Sequence, residues 1–168
     1  SKFNVVQNQW GFAINYTATW CGPCGNWGAP LIHAFEAAGN VVAITAHASG
    51  DPMFNETLYN NFAQDRPTGG GIPSFWVGDI KTTTEADMSA LLAKVPEAAL
   101  DLIWTEEGGV ITVDLMAKFF SAVNGDYYIS VYVLEDGIDG SVNSGAYSQN
   151  GVSNPDTYKH DFVLRAAQ

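Results

Sequence analysis

The run Ala13-Ile14-Asn15-Tyr16-Thr17-Ala18 is short, mostly apolar and aromatic, and predicts a strand set inside a sheet. Gly22-Pro23 closes it with a turn, and from Pro23 to about Ala38 the pattern becomes helical. Val41-Val42-Ala43-Ile44-Thr45-Ala46 reads as a second strand, followed by a helical stretch from about Met53 to Gln64. Gly69-Gly70-Gly71 interrupts the pattern, and Gly71-Ile72-Pro73-Ser74-Phe75 opens the next strand. After Pro96 the period changes to two. Ala98–Thr105, Gly109–Ala117, Tyr127–Glu135 and Tyr158–Arg165 read as strands, in which Ile111, Val113 and Leu115 alternate with Thr112 and Asp114, and Ile129, Val131 and Val133 with Ser130 and Tyr132. With turns at Glu106-Glu107-Gly108-Gly109 and Asn124-Gly125-Asp126, this predicts an antiparallel sheet with one buried face. The chain thus divides into an α/β segment, residues 1–95, and a β-rich segment, residues 96–168, with a seam within Gly78–Glu85 or around Pro96. The second segment either completes the sheet of the first or makes an incomplete sandwich, since four strands are few for independence.

The only two cysteines of the chain, Cys21 and Cys24, stand in Trp20-Cys21-Gly22-Pro23-Cys24, at the junction of the first strand and the first helix. Proline is tolerated in a first helical turn because the amide it lacks would be unpaired there, so Cys21 falls just ahead of the helix and faces its N–H groups. Those groups and the helix dipole favour a thiolate, and Cys-x-x-Cys sites of this kind draw a thiol from about 8.5 toward about 7 or lower. Cys24, one turn further in, is placed to attack a mixed disulfide formed by Cys21. Cys21 is the expected nucleophile and Cys24 the resolving thiol.

Other uses of the pair compete with this one. A structural zinc site wants four ligands, and the chain has no second cysteine pair and only His33, His47 and His160, scattered singly. A permanent staple across so short a loop restrains little of the unfolded chain. A redox motif kept on a domain that only binds a partner remains open.

The order of elements around Trp20-Cys21-Gly22-Pro23-Cys24 resembles the thioredoxin superfamily, and Gly71-Ile72-Pro73-Ser74-Phe75 looks like its cis-proline turn. The resemblance implies a central sheet flanked by helices, a proline at Pro73 facing the disulfide, and a backbone at Ile72 that binds an extended substrate strand. Trp20, Gly22 and Pro23 would complete the substrate-binding surface. A cis X–Pro bond is a minority state kept by a committed fold. Two positions depart from thioredoxin. Asn15 stands where that family keeps a buried aspartate that helps move the proton of the inner cysteine, and an amide cannot take it. His47 is a candidate substitute, though a lone histidine is more often surface or satisfied core. The helical proline, Pro30, comes six residues after Cys24 rather than five, through Gly25-Asn26-Trp27-Gly28-Ala29, so the helix start must be adjusted.

Asn15-Tyr16-Thr17-Ala18-Thr19-Trp20-Cys21, together with Val131-Tyr132-Val133-Leu134-Glu135-Asp136-Gly137-Ile138 and Tyr158-Lys159-His160-Asp161-Phe162-Val163-Leu164-Arg165, resembles the twenty-eight-kilodalton outer-membrane protein family of Gram-negative bacteria. That resemblance implies a thioredoxin-like domain joined to a β-rich segment, in a cell-envelope or surface protein.

Eighteen acidic against seven basic residues give a net charge of −11, which repels nucleic-acid phosphates and anionic lipid. No basic stripe offers a route to nucleic acid. There is neither an apolar run near eighteen residues nor a charged-apolar-small leader, so no direct membrane insertion is expected. A start without Met and an end directly after a strand read as a mature or excised piece of a longer protein.

Of the remaining features, Glu135-Asp136-Gly137-Ile138-Asp139-Gly140 reads as a turn-rich hairpin loop rather than a calcium loop. The tract 140–154, with Ser, Asn, Gly and Tyr interleaved, reads as a mobile loop, or as a surface recognising sugars or peptides. Gly69-Gly70-Gly71 lacks the Lys-Ser/Thr of a phosphate cradle and lets the chain swing toward Pro73. Trp20, Trp27 and Trp76 either border the dithiol as an apolar rim or belong to the core. The expected function is thiol–disulfide exchange on protein or peptide substrates in the cell envelope or outside the cell, with the reducing direction slightly favoured. It needs a redox partner that the chain does not reveal, and no metal or organic cofactor. The alternative is a non-catalytic or redox-switched envelope binding protein.

Overall fold

The first strand, β1 (Gly11–Thr17), is buried along almost its whole length and pairs on both sides. This is seen in a computed structural model that describes residues 2–168. The helix α1 (Ala29–Ala37) leads to β2 (Val41–His47), which runs parallel to β1 with Asn15 opposite Thr45. The helix α2 (Glu56–Asp65) then leads to β3 (Ser74–Val77), antiparallel to β1 with Asn15 opposite Phe75. β4 (Ile80–Lys81) extends that edge, and α3 (Glu85–Leu92) follows.

Period-two alternation sends successive β1 side chains into different layers. Ala13 packs with Ile32 and Phe35 of α1, Met88 of α3, and Ala43, Phe75 and Val77. Ile14 and Tyr16 pack on the other face with Leu58 and Phe62 of α2, Ile44 and Leu164. A fully buried side chain such as Phe35 is worth about 1.5–3 kcal/mol of apolar transfer, so these two layers carry the sheet. Asn55 starts α2 in the expected way, its side chain accepting the Leu58 N–H at 3.2 Å.

The long antiparallel pair β5 (Ala98–Glu107) and β6 (Val110–Phe119) is in register over its whole length, and Gly108 and Gly109 take the positive φ of its turn. The alternation along it predicts one buried face. Instead the pair is a two-stranded ribbon outside the main sheet, with Leu100, Leu102, Trp104, Val110 and Ile111 exposed. The N-terminal residues lie along it: Lys2 Nζ meets Asp114 at 2.6 Å, and the Asn4 N–H donates to Asp101 at 2.7 Å.

The remaining strands are β7 (Tyr132–Glu135), β8 (Ile138–Asp139), β9 (Lys159–His160) and β10 (Val163–Ala167). β10 inserts beside β2, parallel to it, and β7 pairs antiparallel on its far side, giving the order β4-β3-β1-β2-β10-β7. Of the two arrangements open to the β-rich segment, these strands take the one that extends the central sheet. The expected strand Tyr158–Arg165 is broken at Asp161–Phe162. Phe162 has φ +61°, its N–H donates to Asp136 Oδ1 at 2.6 Å, and its carbonyl accepts the Thr45 N–H at 2.8 Å. That kink swings Phe162 onto the layer under α1, against His33. The acids of the 135–140 loop act as ties: Asp139 accepts from Ser141 and pairs with Lys159 at 2.5 Å, which holds its carboxyl well below the usual range. Among the described residues no helix is long and apolar enough to cross a membrane.

Candidate active site

Between β1 and α1 the helix has to absorb one more residue than a regular turn allows. It does so with a π-helical turn over Cys24–Gly28, in which the Ala29 N–H reaches back to the Cys24 carbonyl, five residues earlier. This is the adjustment that the late Pro30 requires, and it keeps α1 in line while Cys24 points inward. Both glycines of the turn are used for close packing. A Cβ on Gly28 would come within 3.0 Å of Pro73, and one on Gly25 within 2.0 Å of the Asn150 carbonyl oxygen.

Cys21 and Cys24 form a disulfide, with the sulfurs 2.06 Å apart. The Cys24 N–H donates to Cys21 Sγ at 3.2 Å, so the outer sulfur is met by a backbone donor from the start of the helix. Cys21 keeps 6% of its surface open against 1% for Cys24. The two cysteines are thus both buried but unequal: Cys21 keeps a little open surface, and Cys24 lies deeper.

Ile72–Pro73 is a cis peptide bond, and the Ile72 carbonyl oxygen lies 3.8 Å from Cys21 Sγ. Beside it runs an open groove of about 600 Å³ lined by Pro23, Trp27, Gly69, Ile72, Pro73 and Lys81, among others. Gly69 and Gly70 both take positive φ and carry the chain round to Pro73. Trp27 stacks obliquely on Phe75 and is 41% exposed, so it forms an apolar wall of the groove. Trp20 is also exposed, next to Cys21. Trp76 is not part of this rim: it packs in the layer under α2, and its indole N–H donates to the Pro67 carbonyl. Gly22 and Pro23 occupy the turn between the cysteines, Pro23 facing the groove.

The tract 140–154 is seated on the redox turn. Gln149 is 2% exposed, and its Nε2 lies 3.2, 3.4 and 3.3 Å from the carbonyl oxygens of Ala18, Thr19 and Cys21. The Asn150 N–H donates to the Thr19 carbonyl at 2.8 Å, and its Nδ2 to the Trp20 carbonyl at 3.0 Å. The tract is a strap over the backbone of the Cys21 turn. Its sequence signals only turns, at Asn150-Gly151 and Asn154-Pro155, and nothing local marks Gln149 as its anchor.

Behind Cys24, Asn15 is 2% exposed, and its Oδ1 is a buried side-chain oxygen without a hydrogen-bond partner among the described residues. His47 is 3% exposed and its Nδ1 lies 3.0 Å from Asp51 Oδ2. Asp51 also accepts the N–H groups of Thr19 at 2.5 Å and Met53 at 2.7 Å. Burial alone would raise the Asp51 carboxyl, but the His47 hydrogen bond and charge, with those two amides, outweigh it and hold the group below its ordinary value. His160 donates from Nε2 to the Tyr147 carbonyl at 2.7 Å, and burial pushes its imidazolium down. The neighbouring Tyr158 phenol is pushed up to about 12 by burial and then by Asp161. His33 sits apart, on the outer side of α1 near Asp161. Among the described residues no group of three or more His, Cys, Asp or Glu is arranged to hold a metal ion. Asp51 was not marked by the sequence reading; its one signal is the i,i+4 spacing from His47 across the turn after β2.

No protein-family model and no curated protein sequence matches the chain. Among solved structures it is similar to HBP35 of Porphyromonas gingivalis, with a TM-score of 0.76, 17% identity, and coverage of 98% of this chain and 58% of that one. The chain therefore spans little more than half the length of that neighbour. The likeness shows the fold, and the fold is thioredoxin-like: a central mixed sheet flanked by helices, with additional antiparallel strands.

Proposed function

We propose that the chain is a thiol–disulfide oxidoreductase acting on protein or peptide disulfides, with Cys21 as nucleophile and Cys24 as resolving thiol. The observation that carries this reading is the inequality of the two cysteines: Cys21 is the more open, receives the Cys24 N–H, and has its sulfur 3.8 Å from the Ile72 carbonyl beside cis Pro73, while Cys24 lies deeper. In the reduced protein the same N–H groups would favour a Cys21 thiolate, which attacks a substrate sulfur; the displaced sulfur leaves as a thiolate. Cys24 then attacks Cys21 Sγ, closing the Cys21–Cys24 bond and releasing the second substrate thiol. Two electrons pass from the dithiol to the substrate, and a separate redox partner must return them. Ile72 presents its backbone to an extended substrate strand, and Trp20, Trp27, Gly22 and Pro23 supply the surrounding surface. The Gly-Pro pair between the cysteines and the Ile before Pro73 resemble reducing members of the superfamily. The short likenesses to the twenty-eight-kilodalton outer-membrane family favour the cell envelope as the site of this exchange, an oxidising location where such a couple can cycle.

Insulin reduction by the reduced chain, with Cys21→Ser as control, tests the reading. Turnover that is lost in the variant supports it. A wild type that is folded and inert, with thiols that alkylate only above the free-cysteine range, removes it.

The β5–β6 ribbon favours a second reading. Its exposed Leu102, Trp104 and Ile111 suit a binding surface, and a redox-switched envelope binder would use it with Cys21–Cys24 as the switch.

A further inference from the structure

Exchange by this pair requires Cys24 to lose a proton in a place where β1, the strand behind it, offers no carboxylate. Asn15 has the position and lacks the chemistry, because an amide has no basic atom in this range. Directly behind Cys24, however, lies a small polar cavity of about 20 Å³, enough for one water. Asn15, Thr17, Thr45, His47, Gln149 and His160 line it along with Cys24. A water there has the two to four polar partners that such a site needs.

Of the two imidazoles in the wall, the hydrogen bonds select one. Asp51 is ionised and can only accept, so the His47 proton belongs on Nδ1 and Nε2 is left as the acceptor nitrogen. A second proton on His47 makes an imidazolium facing a carboxylate at 3.0 Å, in a pair whose side chains are 1% and 0% exposed. His160 has no such carboxylate bonded to it. Its ring packs edge-on against His47 with centroids 5.7 Å apart, and burial disfavours charging it. The other titratable groups around His47 are Tyr59 of α2 and, across the cavity, Tyr158 and Asp161. Both phenols are raised by burial, and the Asp161 carboxylate accepts the Gly137 N–H and faces His33, so Asp51 is the anion bonded to the ring.

Resting on the exchange reading above, we propose that His47, oriented by Asp51, takes the proton of Cys24 through one water in this cavity during the resolving step. The Cys24 S–H proton passes to the water as the water's own proton passes to His47 Nε2. The Cys24 sulfur, now a thiolate, bonds to Cys21 Sγ; the Cys21–substrate bond breaks, and its electron pair leaves with the substrate sulfur. In the reverse direction the imidazolium returns the proton to Cys24. His47 is thus a positioning and proton-holding residue acting through water, and Gln149 lines the same cavity.

The test is a two-phase reaction of the reduced full chain with 5,5′-dithiobis(2-nitrobenzoate). The first release of thionitrobenzoate reports Cys21 attack and the second reports resolution by Cys24. The wild-type second phase is expected to show, besides the bend of the thiol, a second bend with pH that is missing in His47→Gln. In His47→Gln the ratio of second to first rate at pH 7 is expected to fall about 100-fold, the scale of general base catalysis, and to recover at alkaline pH where the thiol ionises unaided. Adding Asn15→Asp to that variant restores the ratio. Equal ratios and equal profiles in wild type and His47→Gln overturn the relay and leave exchange standing. Should His47→Gln fail to fold, the wild-type profile decides, and a single bend in the thiol range overturns the relay. No thionitrobenzoate release from folded, reduced wild type overturns the relay and the exchange reading together.

Discussion

Gly151 lies so close over Gly22 that a β-carbon on it would stand 1.9 Å from the Gly22 carbonyl oxygen, and its φ of +87° already suits no other residue well. The strap and the cysteine turn therefore meet backbone to backbone. Gly151→Ala must push the strap away, at a cost of roughly 3 kcal/mol. For a chain of this size that lowers Tm by about 6–12 °C in a thermal melt. Alkylation of Cys24 in the reduced protein should speed up in parallel. A melt within about 1 °C of wild type would show that the strap is not seated there.

Asn15→Asp supplies the cavity with its own carboxylate. The resolving step in the otherwise unchanged chain should gain at least about tenfold at pH 7. Stability should move the other way. A buried carboxyl has a folded pKa above its unfolded value of about 3.9, so the folded state holds the proton longer and the variant loses stability as pH rises through that interval. Chemical denaturation at pH 5 and pH 8 should show the gap to wild type widening at the higher pH, by about 1.4 kcal/mol per pH unit within the interval. A constant gap with no rate gain would mean that the new carboxyl faces away from Cys24.

Acid should destabilise the protein in two stages. Folded His160 resists protonation, so below its ordinary 6.5 the unfolded chain takes up a proton that the folded one refuses, and stability falls from there down to the folded pKa. Folded Asp51 stays ionised below its ordinary 3.8, so its contribution is complete above that value and is lost as pH falls through the folded pKa. Tm followed from pH 8 to pH 3 should decline first below about 6.5. His160→Gln, which keeps a donor for the Tyr147 carbonyl, should flatten that first decline and leave the second. A flat Tm between pH 7 and pH 5 in the wild type would contradict the assignment.

The redox turn was legible because its chemistry is local: two cysteines, a proline and a strand-to-helix boundary lie within a few residues, and the late Pro30 signalled an adjusted helix start, which takes the form of a π turn at Cys24–Gly28. Pro73 was legible by its place at the head of a strand. Gln149 and Gly151 were not, because what makes them matter is a contact across more than 120 residues, and hydrogen bonds to the carbonyls of Ala18, Thr19 and Cys21 leave no periodic trace. The β5–β6 alternation misled for a related reason. Period two records that a strand has two different sides, and in a two-stranded ribbon neither side need be covered. Phe162 broke the last predicted strand because its side chain is wanted under α1 while the backbone is needed at Thr45.

The ribbon offers a direct check on its role. Trp104→Ser with Leu102→Ser removes apolar surface that touches little, so Tm should stay within about 2 °C, as exposed substitutions usually cost under 0.5 kcal/mol. Insulin reduction should be unchanged as well. A large loss of stability would show that these side chains are packed, and a loss of turnover would place the ribbon in substrate capture.

Val163 is fully buried and sits opposite Thr45, with β2 on one side of its strand and β7 on the other. A segment that follows β1, β2 and β7 in the chain thus fills an inner place between strands made before it. Until it arrives, one edge of β2 is bare, the strap has no anchored base, and Cys21 and Cys24 belong to an open chain. The thiols are then exposed to whatever oxidants or partners surround the growing polypeptide. Closure of the sheet and shielding of the dithiol thus become a single event that waits on β10 rather than on the cysteines themselves.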